Sequence, residues 1–517
     1  MTANSNVRFP ETRFSIEGAA TTVTNTDHRV VGYAQMLPAG TATAKQRVSV
    51  DNNKATWATL FGAKSDAYAM VAAFRAINAE TPLDIVPLAD GVGATAASGT
   101  YVVAGTATEA GSYTLTVGSS DISFTIPVAN GDTATIVGDA VEAAINAHTT
   151  VQVTAANVLG TVTLTASNAG LEGNDLTVTG TGVVAGLTLT VNAMSGGLLS
   201  PDFANIFDTI ADLRYQTFVW PSSYTLATVA DEVDSRFNTA DGVVLDGVAL
   251  TTVVDTSTNA IALSALFNSQ SLSITAISPA STAEIKGSSV NARSLSVTAS
   301  IAAIRALRLT DGVDITGLTI ASGLDNIGGV ALSSLPYANT PLSTLPPVAV
   351  GLGYTATEIK SMKNGGVSVV GNNTNNTALI VGEMLTTYKT DVAGNPDDSF
   401  VFLNSVDTMS AVREYMVSNV KKRFGQSRLT NGVLRANRSV ANSQSIRSYI
   451  RGLYKDTTGT GMMLTEAGRP AESFFNDNLT IVIDLAAGQA TVTMRVPVVT
   501  QLRSIIGSIA ISFGTGA

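Results

Sequence analysis

Imidazole and thiol chemistry are nearly absent from this chain. Its 517 residues include two histidines and no cysteine, which removes thiolate catalysis, disulfides and cysteine-ligated metal sites together. His28 stands in "NTDHRV" and His148 in "INAHTT". A Ser-His-Asp site would need one of them beside a nucleophile motif. Neither has one, and both read as exposed or capping imidazoles. No G-x-S-x-G, H-E-x-x-H, P-loop or G-x-G-x-x-G pattern occurs. The glycine-rich "DGVGATAASG" and "TTGTGMM" lack the lysine or the spaced third glycine of a phosphate cradle, and read as loops. Asp241, Asp246, Asp397 and Asp398 could pair as acid and base. All four lie in turn contexts, "ADGVVLDG" and "GNPDDS", where Asp serves the backbone.

The one concentration of charge is basic. Arg413, Lys421, Lys422, Arg423, Arg428, Arg435, Arg438, Arg447, Arg451 and Lys455 share a stretch whose obvious acids are Glu414 and Asp456. Arg447, Arg451 and Lys455 recur at i, i+4, i+8 and so lie on one helix face. That face either meets solvent or meets an acidic partner. Nucleic acid fits less well, because the chain carries a net charge of −10 and no aromatic residues interleave the cations. Charged residues make up 14% of the chain, against roughly 25% in ordinary soluble domains, and the mean hydropathy is +0.26. No apolar run approaches the roughly 20 residues of a membrane helix, and the amino terminus shows no secretory signal. A surface of Thr, Ser, Ala and Gly that is neither charged nor membranous is most simply covered by other protein, which points to an assembly subunit made in a cytoplasm.

The elements that would position these residues fall into segments. Residues 1–27 read as an extended arm. "RVVGYAQML" reads as a buried strand, "SDAYAMVAAFRAINAE" as a helix capped by Ser65 with Met70, Val71, Phe74 and Ile77 apolar, and "TPLDIVPLA" as a strand. From about Gly91 to Gly197 short alternating strands with one helix near Val137 to His148 suggest an inserted, mostly β module. Alternation resumes with "FANIFDTIADLR" as helix, "YQTFVWP" as strand, "LATVADEVDSRF" as helix and "SLSITAIS" as strand. A helix near Ala299 to Leu309, a proline-rich loop and the strands "VSVVG" and "ALIVGEMLTTY" follow. Beyond residue 395 come a helix with Met409, Val412, Met416, Val420 and Phe424 on one stripe, a second helix near Asn442 to Lys455, and a hairpin turning near Gly488. The final "GSIAISF" alternates as a strand with Ile509, Ile511 and Phe513 on one face, and no neighbour in sequence is placed to pair with it.

Taken in order, these pieces resemble contractile phage tail sheath proteins. The resemblance rests on Phe61-Gly62 before a helix, "GLEGNDLTV" and "MSGGLLSPD" closing the insert, then "YQTFVWP". It is strongest in "YKTDVAGNPDDSFVFLNSVDTMSAVREYMVSNVKKRF", "QSRLTNG" and "QLRSIIGSIAISF". It implies an α/β core of the subtilisin-like sheath fold, without protease activity, carrying an inserted mostly-β domain, an α+β carboxyl-terminal domain and extended terminal arms. The implied layout is an arm at 1–27, core at 28–95, peripheral insert at 96–197, core again at 198–394, a carboxyl-terminal domain at 395–502 and a strand arm at 503–517. It further implies a homo-oligomer of stacked rings in a helical sheath around a tail tube protein, with a baseplate and a tail terminator as partners. No cofactor, direct nucleic-acid contact or membrane insertion is expected. The location would be the virion tail, assembled in host cytoplasm. Ile509, Ile511 and Phe513 would form an inter-subunit strand, and Lys421, Lys422, Arg447, Arg451 and Lys455 would face the tube. A phage-derived injection particle, a β-rich surface adhesion module and an enzyme on the same fold are the alternatives.

Overall fold

A computed structural model describes residues 28–118, 122–237, 244–310, 326–327, 330–331, 337–432, 440–458 and 471–496. From the amino end come β1 (Val30–Gln35), β2 (Val48–Val50), α1 (Lys54–Phe61), α2 (Asp66–Arg75) and β3 (Leu83–Leu88). A β-rich stretch follows, with β4 (Ser98–Gly105), β5 (Gly111–Val117), β6 (Ser123–Val128), α3 (Ala134–Ala147), β7 (Val153–Val158), β8 (Thr161–Ala166), β9 (Val178–Thr181) and β10 (Leu187–Ser195). Alternation resumes in β11 (Thr217–Val219), α4 (Leu226–Phe237), β12 (Val248–Val254), α5 (Ser257–Ser264) and β13 (Leu272–Ile277). Then come β14 (Pro279–Ser281), β15 (Ile285–Ser288), α6 (Ser294–Thr310), a small hairpin β16 (Asn326–Ile327) and β17 (Val330–Ala331), and β18 (Thr340–Pro341). After α7 (Ala356–Asn364), β19 (Val367–Asn372) and β20 (Leu379–Val381), the last portion holds α8 (Leu403–Phe424), β21 (Arg428–Leu429), β22 (Val440–Ala441), α9 (Ser443–Thr458), α10 (Ala471–Asp477), β23 (Thr480–Asp484) and β24 (Gln489–Thr493).

The central sheet runs β18-β20-β19-β13-β12-β11-β1-β3-β2. Its six inner strands, β19 through β3, are parallel, with β1 in register against both β3 (Val30↔Leu83) and β11 (Val30↔Thr217). Every residue of β1, β3 and β13 is buried, as parallel strands covered on both faces require. One face packs Val30, Ala34, Leu83 and Ile85 under α2 and α6. The other packs Val31, Tyr33, Phe218 and Ile274 under α4, α5 and α7. At Gly32 any Cβ would collide with the Met70 sulfur and Ile85, so α2 can approach β1 only over a glycine. Ser65 caps α2 as its type suggests, accepting from the Tyr68 amide at 3.0 Å, with Met70, Val71 and Phe74 buried.

The stretch between β3 and β11 builds two further sheets around an apolar cluster of its own, ordered β10-β4-β8-β7 and β14-β15-β9-β5-β6. The second is completed by β14 and β15, which leave the central sheet just after β13 and pair with β9. Tyr101 joins the two layers, its buried hydroxyl donating to the Thr116 carbonyl at 2.7 Å and the Thr179 carbonyl at 3.0 Å.

"FANIFDTIADLR" differs from expectation. It forms turns and one short 3-10 segment, Asp208–Ile210. Asn205 sits at φ 58°, which breaks helical geometry, and the turns let Phe203 and Phe207 both pack on Trp220. No helix among the described residues is long and apolar enough to cross a membrane.

Candidate functional site

In chain rank the parallel strands are ordered 2-1-3-4-5-6 across the sheet, so the winding reverses at β1. The crevice outside the carboxyl ends of β1 and β11 is therefore where an α/β sheet of this kind binds a ligand. Here the chain fills it with its own 3-10 segment, Leu171–Asp175. Arg293 donates to Asp66 Oδ1 at 2.5 Å, to Glu172 Oε2 at 3.2 Å and to the Glu172 carbonyl at 3.0 Å. The Arg293 and Glu172 side chains are each 1% exposed. Gln152 adds a bond to Asp66 at 3.1 Å, the Ser294 amide bonds Asp175 at 2.8 Å, and the Ser223 hydroxyl donates to Glu172. Beside them Asp90 accepts from Gln35 at 2.7 Å, Asn168 at 2.9 Å and the Ala169 amide at 3.0 Å. Burial pushes the Glu172 carboxyl up to about 7 against the pull of Arg293, with Asp66 and Asp175 adding to the rise. Burial raises Asp175 as well. Three carboxyl groups thus gather around one guanidinium. They tie the inserted sheets to the core.

A second polar junction lies at the opposite, amino-terminal ends of the strands. A cavity of about 60 Å³ there is lined by His28, Arg214, Asp246, Arg305, Asp407 and Ser410, among others. Contrary to the sequence reading, His28 is buried, and its Nε2 has no hydrogen-bond partner. Burial, and then the charges of Arg305 and Arg214, hold its pKa well below the usual range, so the ring is neutral. Asp246 is likewise no simple turn residue. It pairs with Arg413 at 2.9 Å and Arg214 at 3.3 Å. Arg214 also pairs with Glu414, and Arg305 bonds Asp407 at 2.6 Å, which Tyr337 reaches at 2.5 Å. Ser410, His28 and Asp246 thus share a cavity, but the hydroxyl donates to Asp246. His28 Nε2 takes no part in that bond. Arg413, counted above in the basic cluster, also stacks over Phe237 with its guanidinium carbon 4.8 Å from the ring centroid. The junction fastens α8 to the core.

The remaining sequence candidates separate. His148 ends α3, its Nδ1 accepting from the Thr150 and Val151 amides at 3.3 and 3.2 Å. Asp397 accepts from the Tyr388 hydroxyl at 2.6 Å and the Ser399 amide at 2.9 Å, a turn role as expected. Asp241, Ile509, Ile511 and Phe513 lie outside the described residues. Lys421 and Lys422 are exposed in the last turn of α8; on α9 Arg451 and Lys455 are exposed and Arg447 is half-buried. Leu403 and Val406 at the start of α8 pack into the core, whereas Val412 and Met416 join a separate cluster with Ile446, Ile450, Tyr454 and Phe475. Tyr454 and Phe475 stack with centroids 3.8 Å apart and rings 4° from parallel. On this cluster lies the hairpin β23–β24, whose Gly488 takes φ 64° in the turn. Among the described residues neither outer edge of that hairpin is paired.

The described residues thus combine an α/β sheet, two further sheets anchored to it and a small unit with an open-edged hairpin. A 182-residue stretch, 34% of this chain, is 31% identical to the Mu-like prophage FluMu tail sheath protein of Haemophilus influenzae (strain ATCC 51907 / DSM 11121 / KW20 / Rd). The chain is thus a homologue of a tail sheath protein, as its resemblance implied. The match spans 37% of that relative's length. No family model matches. Solved structures similar to it include the sheath tail protein of Listeria innocua, with 11% identity over 92% of each chain and a TM-score of 0.45. Another is that of Desulfitobacterium hafniense, with 10% identity over 94% of this chain and 100% of the other, TM-score 0.44. A third is the contracted helical sheath of the anti-feeding prophage, with 11% identity over 99% of each, TM-score 0.43.

Proposed function

We propose that this chain is the structural subunit of a contractile phage tail sheath, polymerising as stacked rings in a helical tube around a tail tube. Shortening of that tube would drive the tail tube through a host envelope. The open-edged hairpin β23–β24 carries the reading. A two-stranded sheet is marginal by itself, and an exposed edge invites an added strand. A strand from another copy would contribute a few backbone hydrogen bonds, each about 0.5–1.5 kcal/mol net. The donors are the arms at 1–27 and 503–517, with Ile509, Ile511 and Phe513 entering the neighbour's apolar cluster. On this reading 28–95 and 198–394 form a subtilisin-like sheath core without protease activity, 96–197 a peripheral insert and 395–502 the carboxyl-terminal domain. Lys421, Lys422, Arg447, Arg451 and Lys455 face the tube, a baseplate and a tail terminator bound the polymer, and the subunit resides in the virion tail after assembly in host cytoplasm.

The test is truncation after Gln501. The shortened chain should remain a soluble monomer with an unchanged circular dichroism spectrum and form no tubes by electron microscopy, while the full chain does. Tubes from the truncated chain would show that the arm is dispensable. Its unfolding would place the strand within its own subunit.

A further inference from the structure

The inserted sheets end in an apolar tip. β7 and β8 are joined by Leu159 and Gly160 at φ 52° and 92°, with Val158 paired to Thr161. Such a two-residue turn needs positive φ at both positions and favours Asn, Asp or Gly there. A leucine in this conformation is strained, yet Leu159 is 80% exposed, beside Val158 at 68%. The tip is tied to the first turn of α3 through Asn157, which donates to the Thr135 carbonyl at 3.2 Å, and that turn adds Ile136, 52% exposed. Strain held at an exposed apolar position is a sign of use.

The same chain holds a matching receptor. A cleft of about 530 Å³ lies outside the carboxyl ends of β13 and β19, with buried Val348, Val369 and Val370 in its lining and Val350, 93% exposed, at its mouth. Charges agree too. The sequence has no Lys or Arg between Arg75 and Arg214, and the tip's ionic neighbours are Asp139 and Glu142, both bonded to Asn157. Beside the cleft, Lys360 is exposed next to Ile359, while the Glu358 carboxylate is engaged by Thr355 and Ser257. Leu159 and Val350 are both exposed, so neither covers the other within one copy.

We propose that the Leu159 tip of one copy seats in the Val348–Val370 cleft of another. A knob and cleft on different parts of one surface make a head-to-tail contact, which repeats into a helix when it does not close. The contact rests on the assembly reading above and adds a link independent of the terminal arms.

Because the chain has no cysteine, Leu159→Cys with Val350→Cys introduces the only thiols. A short bifunctional maleimide applied to assembled protein should give a ladder of linked oligomers from the double variant and none from either single variant. Tubes without a ladder overturn the contact and leave the assembly reading standing, and so do dimers from Leu159→Cys alone. If the unmodified chain forms no tubes, the assembly reading falls. Cross-linking of the double variant in concentrated solution then decides the contact, absence of linked species overturning it. Leu159→Asn, whose side chain suits the turn, should raise the concentration needed for assembly by about tenfold or more without lowering the monomer's melting temperature. A lower melting temperature with unchanged assembly would also overturn the proposal.

Discussion

Glu172→Gln replaces a buried carboxyl by a neutral group of the same shape. In the folded chain Glu172 titrates near 7 against an ordinary 4.5, chiefly because it is buried. Unfolded, it releases its proton near 4.5, whereas folded it holds on to about 7. Its contribution to stability is therefore full below the lower value and is lost as pH rises through the upper one. The separation corresponds to about 3 kcal/mol. Gln cannot titrate, so the stability of the variant relative to wild type should grow by about that amount between pH 4.5 and 8. The comparison matters because other groups move too. Asp175, raised by burial, acts in the same direction, and His28, lowered by burial, loses stability as pH falls below its ordinary value. The His28 contribution cancels in the difference between the two proteins, and that of Asp175, whose charge acts on Glu172, cancels in part. Urea unfolding followed by tryptophan fluorescence suits the measurement, since both tryptophans, Trp57 and Trp220, are buried in the core. A wild-type-to-variant difference that stays constant within about 0.5 kcal/mol from pH 5 to 8 would refute the reasoning. It would mean that Arg293 neutralises Glu172 fully and that the latch carries no excess proton.

Asp407→Ala leaves Arg305 and Tyr337 without their shared carboxylate in a buried site. It should cost about 3–5 kcal/mol, seen as faster amide hydrogen exchange across α8, and unchanged exchange there would show that the apolar contacts of Leu403 and Val406 suffice. Lys421→Glu with Lys422→Glu alters two exposed residues. Subunit stability should stay within about 0.5 kcal/mol, while binding to an acidic tail tube weakens most at low salt; unchanged binding at low ionic strength would return these lysines to a solvated face.

Local pattern carried much of the fold. Short, mostly apolar runs marked β1 and β3, alternation marked β13, the Ser65 cap marked α2, and the period of "LATVADEVDSRF" matches α4 over its full length, Leu226–Phe237. What failed was what depends on distant residues. The aromatic spacing in "FANIFDTIADLR" suits a helix, but Trp220 draws Phe203 and Phe207 into turns. Nor does a period reveal that β14 and β15 complete a sheet begun more than a hundred residues earlier. The polar junctions were missed because ion pairs such as Arg293–Asp66 and Arg305–Asp407 join residues far apart in sequence. A usable signal was present. Arg305 and Arg308 interrupt the otherwise uncharged "SLSVTASIAAIRALRLT", and a lone cation in an apolar helix calls for a buried anion. His28 was misjudged for the converse reason, because its polar neighbours in sequence lie beside a strand that the fold buries.

The two polar junctions grip the central sheet at opposite ends of its strands, α8 at the amino ends and the inserted sheets at the carboxyl ends. A pull between those attachments runs along the strand axes. The backbone bonds between β1, β11 and β12 are then strained in shear, several at once, and do not peel open one after another as they would under a transverse pull. Along that line the inter-strand bonds share the load. The place where other α/β proteins house a substrate holds one of those two attachments here.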